Sequence, residues 1–283
     1  MIGEHLRRSL TDIGIDPICT YADCEIEGMR QLDICNEAKV LSLFKEVLPD
    51  IVYLTAAKSN VDYCEENPRE TYAVNVTGTK YVVEAVNQAK AKLVFFSSEC
   101  LFDGLNGPYR EGDPADPICE YGRQKLAAEH TIALQAADYL IIRTNMVYGS
   151  ERHGKNFGYA LGRALKAKKP MEVPNDRIVN PTYAADLAKV VVELVLSGTK
   201  GVFNVAGPER LSRYDFALKF ANVFGFDATL IRSVSSSEMT SSAKRPLNAG
   251  LVTEKVFSVS KTRLVNVEQG LRDMAREVRF NEA

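Results

Sequence analysis

The chain has 283 residues, of which 46% are hydrophobic and 25% charged, and a formal net charge of -2. That length and composition suit one large domain, or a large domain with a small lobe, whose core needs no staples. The balanced charge argues against a general binder of nucleic acid or anionic membranes, and no apolar run approaches the ~18 residues of a membrane span, so a cytoplasmic protein is expected.

In "MIGEHLRRSL" (1–10), Ile2, Leu6 and Leu10 recur at helical spacing. Gly3 reads as the last glycine of a glycine-rich turn whose strand and earlier glycines would precede Met1. "PICTY" (17–21) reads as a strand and "EAKVLSLFKEVL" (37–48) as a helix ended by Pro49. "DIVYLTAA" (50–57) is a strand finishing in small residues, and a long helix is expected from about 68 to 90. "KLVFFSS" (92–98) is the next strand, ending in two serines. A loop dense in Gly, Pro and Asp follows (101–117), then a helix opened by Pro117 and a strand "DYLIIRT" (138–144). Strands alternating with single helices give a parallel sheet with helices on both faces, the doubly wound α/β arrangement, and ligands bind at its strands' carboxyl ends.

The second half is less regular. Helices are expected over 155–169, 183–198 and 212–225, the last with Ser212 as N-cap, and a short strand at "GVFNVAG" (201–207). The Ser/Thr-rich 233–246 reads as an ordered loop over a smaller lobe, because the helical "VEQGLRDMAREV" (267–278) follows it. The expected division is a dinucleotide-binding domain over 1–150 and a mainly substrate-binding lobe over 151–283, with segments returning to the first.

Six cysteines (Cys19, Cys24, Cys35, Cys64, Cys100, Cys119) form no C-x-x-C pair, which points to free thiols in a reducing compartment. The three histidines stand in no metal-binding spacing, so no metal site is expected.

Ser98, Tyr121 and Lys125 carry the chemistry. Tyr121 and Lys125 are four residues apart and share one helix face, while Ser98 ends a strand. A free tyrosine, with pKa ~10, is a poor acid–base group at neutral pH. A neighbouring ammonium and a positive nicotinamide ring would lower that value, so Tyr121 could protonate a carbonyl oxygen as hydride reaches its carbon. Ser98 would hydrogen-bond the same oxygen, and Lys125 would also hold ribose hydroxyls. The spacing alone does not separate such a pair from a surface Tyr–Lys pair; its place after a strand ending in Ser98 does.

The chain resembles the extended short-chain dehydrogenases/reductases, most of all the dTDP-4-dehydrorhamnose reductase-like branch. The likeness rests on "NVTGT" (75–79), "FFSSECLFDG" (95–104), "PYREGDPADPICEYGRQKLAAE" (108–129), "RTNMVYG" (143–149), "NPTYAADLA" (180–188), "GVFNVAG" (201–207) and "AKRP" (243–246). It implies a Rossmann fold and NAD(P)H-dependent reduction of a keto group on a nucleotide-linked sugar. By position it implies catalytic roles for Ser98, Tyr121 and Lys125. Ala56 and Ala57 would line the cofactor, Asp33 would touch adenine, and Asn75 would support the active-site backbone. Glu99, Asn156, Arg177 and Arg245 would meet the substrate. Without the resemblance, the two arginines read as solvated surface charges and Asp33 as a helix-start residue. Met146 and Cys100 depart from the pattern: a tryptophan against the sugar and a tyrosine beside the site usually stand there. Cys100 reads as a buried inert thiol rather than a nucleophile.

Asp23 stands 20 residues after Gly3, where an acidic residue bonds the ribose 2′-hydroxyl, and no basic residue lies in "TYADCE" (20–25), which favours NAD over NADP. Because the reading lacks the first strand and most of the glycine-rich turn, a truncated version of a longer chain is expected. Two other functions fit the same residues: a sugar-nucleotide epimerase or dehydratase with Glu99 as an extra acid or base, and a non-catalytic dinucleotide-binding subunit of the kind that regulates methionine adenosyltransferase. The expected partner is a nucleotide-sugar, and a homodimer is compatible with the resemblance.

Overall fold

A computed structural model of the chain describes residues 1–278 and 280. The first half runs α1 (Ile2–Thr11), β1 (Thr20–Tyr21), β2 (Arg30–Gln31), α2 (Glu37–Val47), β3 (Ile51–Leu54), α3 (Val61–Glu66), α4 (Pro68–Tyr72), α5 (Thr79–Ala89), β4 (Lys92–Ser98), α6 (Glu120–Gln135) and β5 (Tyr139–Thr144). It continues through β6 (Val147–Tyr148), α7 (Phe157–Lys166), β7 (Met171–Pro174), β8 (Ile178–Val179), β9 (Thr182–Tyr183), α8 (Ala184–Leu196) and β10 (Gly201–Asn204). The last elements are β11 (Leu211–Ser212), α9 (Arg213–Phe224), β12 (Ile231–Val234), α10 (Glu254–Val259) and α11 (Val267–Glu277).

The central sheet is parallel, in the order β10-β5-β4-β3. Side chains alternate across a strand, and β4, buried along its whole length, serves two cores at once. Val94 and Phe96 pack with Leu6 and Leu10 of α1 and the apolar face of α8. Leu93 and Phe95 pack with Val40 and Phe44 of α2, Val82, Val83 and Val86 of α5, and Ile132 of α6. Helices thus cover both faces, as the doubly wound reading requires.

The expected single sheet is divided, however. β1 and β2 form their own two-stranded parallel pair, and among the described residues no strand joins them to β3. β3 is therefore an edge strand, with Ile51 38% exposed beside a neighbour that is wholly buried. The helix expected over 68–90 is α4 and α5 joined by a π-helical segment, Ala73–Gly78, a widening often found at functional sites. The helix expected from Pro117 starts instead at Glu120, because Cys119 has extended backbone and takes the N-cap position.

α7, α9 and α11 build the smaller lobe around Phe216, Phe220, Leu271 and Met274, with Tyr148 and Tyr183 closing the core. Ser212 caps α9 in a reciprocal capping box with Asp215, and Gly225 ends it at φ +70°. The Ser/Thr-rich stretch is ordered. It opens as β12 and continues into a short 3₁₀ turn, held where Asp176 accepts the backbone N–H of Ser236 and the hydroxyl of Ser235. α8 and β10 belong to the sheet body, through α1 and β5, so the boundary at residue 150 divides the chain but not the two cores. Residues 279 and 281–283 of the expected lobe lie outside the described residues.

Candidate active site

β4 delivers Ser98 to the carboxyl end of the sheet, where the strand breaks into a 3₁₀ turn, Glu99–Leu101. The Ser98 hydroxyl donates to Glu99 Oε2 at 2.6 Å and accepts the Cys100 N–H at 3.2 Å. The turn sits hard against the first turn of α6. A Cβ placed on Gly122 would lie 2.0 Å from the carbonyl oxygen of Cys100, so only glycine allows this approach. Burial raises the Glu99 carboxyl above its ordinary pKa, more than the Ser98 bond lowers it.

Tyr121 and Lys125 follow on one face of α6, both buried. The Lys125 amine donates to Phe96 O at 2.8 Å and lies 4.5 Å from the centre of the Phe95 ring and 5.9 Å from that of Tyr121. Burial lowers its pKa to about 8. Tyr121 itself is pushed well up, first by burial and then by the negative charges that Cys100 and Glu99 can carry. The phenol therefore holds its proton, which is the state a proton donor needs.

Asn75, in the π-helical segment, clamps the strand-to-helix crossing after β3. Its side chain accepts the Lys58 N–H at 2.8 Å and donates to Lys58 O at 3.0 Å and to Gln124 Oε1 at 2.8 Å. Gln124 in turn donates to Thr71 Oγ1 at 2.9 Å. Sequence reasoning missed Gln124; its only signal was a polar residue between Tyr121 and Lys125 on a helix that packs on the sheet.

The residues expected at the cofactor fall just after β1, β2 and β3 and in the first turn of α1. Ala56 and Ala57 come directly after β3, the first exposed and the second half-buried. Gly3 is in the first turn of α1, and a Cβ there would lie 3.0 Å from Thr55 Oγ1, so that helix end abuts the end of β3. Asp23 is exposed just beyond β1, and Asp33, just beyond β2, accepts the Cys35 N–H at 2.9 Å. Asp23, Asp33, Ala56 and Ala57 therefore follow carboxyl ends of parallel strands, with Gly3 beside the last of these ends, and such strand ends are where a dinucleotide fits a doubly wound sheet.

On the lobe side, Arg177, Arg213 and Arg245 lie within electrostatic reach of one another, and Arg213 of Glu99. Arg177 donates through Nε to Ser236 Oγ at 2.9 Å. Arg245 grips Asp62 of α3 bidentately, at 2.9 and 2.6 Å, tying the lobe to the sheet body. Arg213, at the start of α9, was missed from sequence because its position looked like an ordinary first-turn residue. Its Nε is buried without a hydrogen-bond partner, its guanidinium lies 4.2 Å from the Phe157 ring, and its backbone N–H reaches Arg177 O at 3.1 Å. Burial, then the charges of Arg177 and Arg245, lower it to about 10, with Glu99 the nearest opposing influence. Crowded cations with an orphaned donor are costly unless an anion completes them, and phosphate oxygens match the guanidinium fork.

Asn156 is engaged within the chain. It caps α7 by accepting the Tyr159 N–H at 3.3 Å and donates to Gly149 O at 3.0 Å. Met146 is half-buried at the edge of the lobe core, and Cys100 lies buried against Cys64, Cys119 and Tyr121.

Residues 1–280 match the RmlD substrate binding domain family. The chain is 31% identical, over 90% of its length and 88% of the other's, to a probable low-salt glycan biosynthesis reductase, Agl14, of Haloferax volcanii. It is 31% identical, over 98% and 94%, to the spore coat polysaccharide biosynthesis protein SpsK of Bacillus subtilis. Among solved structures, a dTDP-4-dehydrorhamnose reductase of Bacillus anthracis in complex with NADP superposes with a TM-score of 0.85 at 26% identity, covering 98% of this chain and 95% of that one. These likenesses show that the chain belongs to the RmlD substrate-binding-domain family, within the dTDP-4-dehydrorhamnose reductase-like extended short-chain dehydrogenases/reductases, which are NAD(P)-dependent oxidoreductases.

Proposed function

We propose that this chain reduces a keto group on a nucleotide-linked sugar with NADH or NADPH. The observation that carries the reading is Ser98 at the end of β4, with a protonated Tyr121 and Lys125 on the helix packed against that turn, and an Arg213 whose buried Nε has no partner within the influence of Glu99.

Gly3, Asp23, Asp33, Ala56 and Ala57 would hold the dinucleotide, which supplies the hydride. Asp23 favours NAD, while the Bacillus anthracis relative contains NADP. Tyr121 gives its proton to the carbonyl oxygen. Ser98 donates to the same oxygen once Glu99, whose carboxyl is biased toward its neutral form, turns donor and bonds Ser98 Oγ. Lys125 keeps a positive charge beneath the site and steadies the ribose. Arg177, Arg213 and Arg245 take the diphosphate, and half-buried Met146 leaves a softer wall for the sugar than a ring would.

The test is NAD(P)H absorbance with dTDP-, UDP-, GDP- and CDP-linked 4-keto sugars. One cofactor should be consumed per sugar reduced, and Tyr121→Phe should lower kcat by about 10²–10⁴-fold. Consumption that Tyr121→Phe leaves intact would overturn the assignment. Glu99 supports a second reading, an epimerase or dehydratase, because a neutral carboxyl beside Ser98 can serve as an extra acid; product would then form with no net cofactor consumption.

A further inference from the structure

We propose that Cys100 and Cys119 are a peroxide-sensitive dithiol whose disulfide staples together the two chain segments that carry Ser98 and Tyr121. The geometry is symmetrical. Cys100 lies two residues after Ser98, on the turn that leaves β4, and Cys119 lies two residues before Tyr121, at the N-cap of α6. Both thiols are free and buried in one cluster with Tyr121. Gly122 brings the Cys100 backbone onto the first turn of α6. Cys100 and Cys119 are neighbours within that cluster, close enough that each shifts the other's thiol. Cys64 shares the cluster but gives its own S–H to Lys58 O at 3.3 Å, so it is turned away from the pair.

The two thiols are not equivalent. The neighbouring Cys100 and the Gly122 N–H at the helix end both favour the Cys119 thiolate, while Cys119 and burial hold Cys100 protonated. The oxidant is hydrogen peroxide or a small organic peroxide. The Cys119 thiolate attacks one peroxide oxygen, the O–O bond breaks and hydroxide departs, leaving a sulfenic acid. The Cys100 sulfur then attacks the Cys119 sulfur, the S–O bond breaks, and water leaves with the Cys100 proton. Two thiols are oxidised by two electrons, and hydrogen peroxide ends as two waters. A thiol reductant reverses the change.

The bridge would fix the spacing of Ser98 and Tyr121 and remove the thiolate charge that Cys119 directs at the phenol. The effect on turnover rests on the proposed reductase reading; the bridge itself does not.

The test exposes the full-length protein to hydrogen peroxide, removes the oxidant, blocks free thiols and maps the digest by mass spectrometry. A peptide pair joined through Cys100 and Cys119, two hydrogens lighter and released by dithiothreitol, is expected. Cys64→Ser should still form it, and Cys119→Ser should leave Cys100 open to alkylation in a protein whose melting profile shows it folded. Oxidation of exposed Cys24 with Cys100 and Cys119 untouched, or a Cys64–Cys100 bridge, would overturn the proposal. NAD(P)H turnover of the bridged protein should fall roughly 10–100-fold and return on reduction, since small displacements of catalytic groups cost about that much. A bridge that left turnover unchanged would overturn the regulatory part alone, and a bridge in a protein with no reductase activity would count against the function, not the site.

Discussion

Lys125 of α6 donates its amine proton to the carbonyl oxygen of Phe96, 2.8 Å away in β4, so the group that electrifies the site also fastens its helix to the sheet. Burial lowers this lysine to about 8. The ammonium is therefore complete below that pH and lost as pH rises through it. The expected result is an alkaline fall in kcat/KM centred near pH 8, measured with saturating dinucleotide. In Lys125→Arg the charge persists, so the fall should vanish even though the bulkier head lowers the absolute rate. Stability moves the opposite way. The unfolded chain binds this proton more tightly than the folded one, so the contribution of Lys125 to folding rises from pH 8 toward the ordinary lysine value of ~10.4. An activity loss caused by unfolding at alkaline pH would show the reverse trend in denaturant midpoints.

Arg213 provides a separate test of the substrate side. Its buried Nε has no partner, and burial, then two other guanidinium groups, lower its pKa. Hydrogen bonds to charged groups are worth about 1.5–3 kcal/mol, or roughly 10–150-fold in affinity. Arg213→Gln should raise KM for the nucleotide-sugar by that factor with little change in the KM for NAD(P)H. Relief of cation crowding should leave the variant as stable as the parent, or more so. A shift confined to the dinucleotide would place the diphosphate elsewhere.

The parts of the molecule that could be read from sequence are those governed by local rules. β4 announced itself as an apolar run ending in serines, α9 by Ser212 and Gly225, and the shared helix face of Tyr121 and Lys125 by their four-residue spacing. The parts that escaped depend on approach in space. α3 and α10, each of six residues, are too short to show a periodicity, and two-residue strands such as β2 and β8 are made by their partners. Arg213 gained its place through the fold of the lobe, not its neighbours in sequence. The surroundings of Tyr121 are of the same kind: sequence shows that a lysine is near, but not that its amine turns to a carbonyl or that thiols and a carboxyl lie close to the ring.

Arg143 and Glu129 join β5 to α6 beneath the site. They form a buried bidentate pair, at 3.0 and 2.7 Å, with side chains 8% and 5% exposed. Arg143 also donates to Glu111 O at 3.0 Å, holding the loop between β4 and α6. Removing one member of a buried pair leaves an uncompensated charge, which costs about 3–5 kcal/mol. Glu129→Ala should lower unfolding free energy by that amount in urea titrations. Replacing both residues with apolar ones of similar volume should recover most of the loss, and a double variant as unstable as the single one would contradict this account.

Gly122 is the position at which fold and chemistry are least separable. A methyl group there would overlap the Cys100 carbonyl at 2.0 Å and also press on Pro117, at 2.9 Å. Backbone cannot rotate away as a side chain can, so the turn carrying Cys100 has to move, and Ser98 sits two residues back along it. Overpacking of this kind costs about 1–3 kcal/mol. Gly122→Ala should therefore lose stability modestly and kcat severely, by roughly 10²-fold, because the Ser98 hydroxyl and the Tyr121 phenol are displaced relative to one another. The contrast with Glu129→Ala is the informative comparison: that variant should lose more stability and less kcat at temperatures where both remain folded. If Gly122→Ala instead unfolds the chain without changing kcat per folded molecule, the close approach serves packing alone, and the spacing of Ser98 and Tyr121 is set by some other contact.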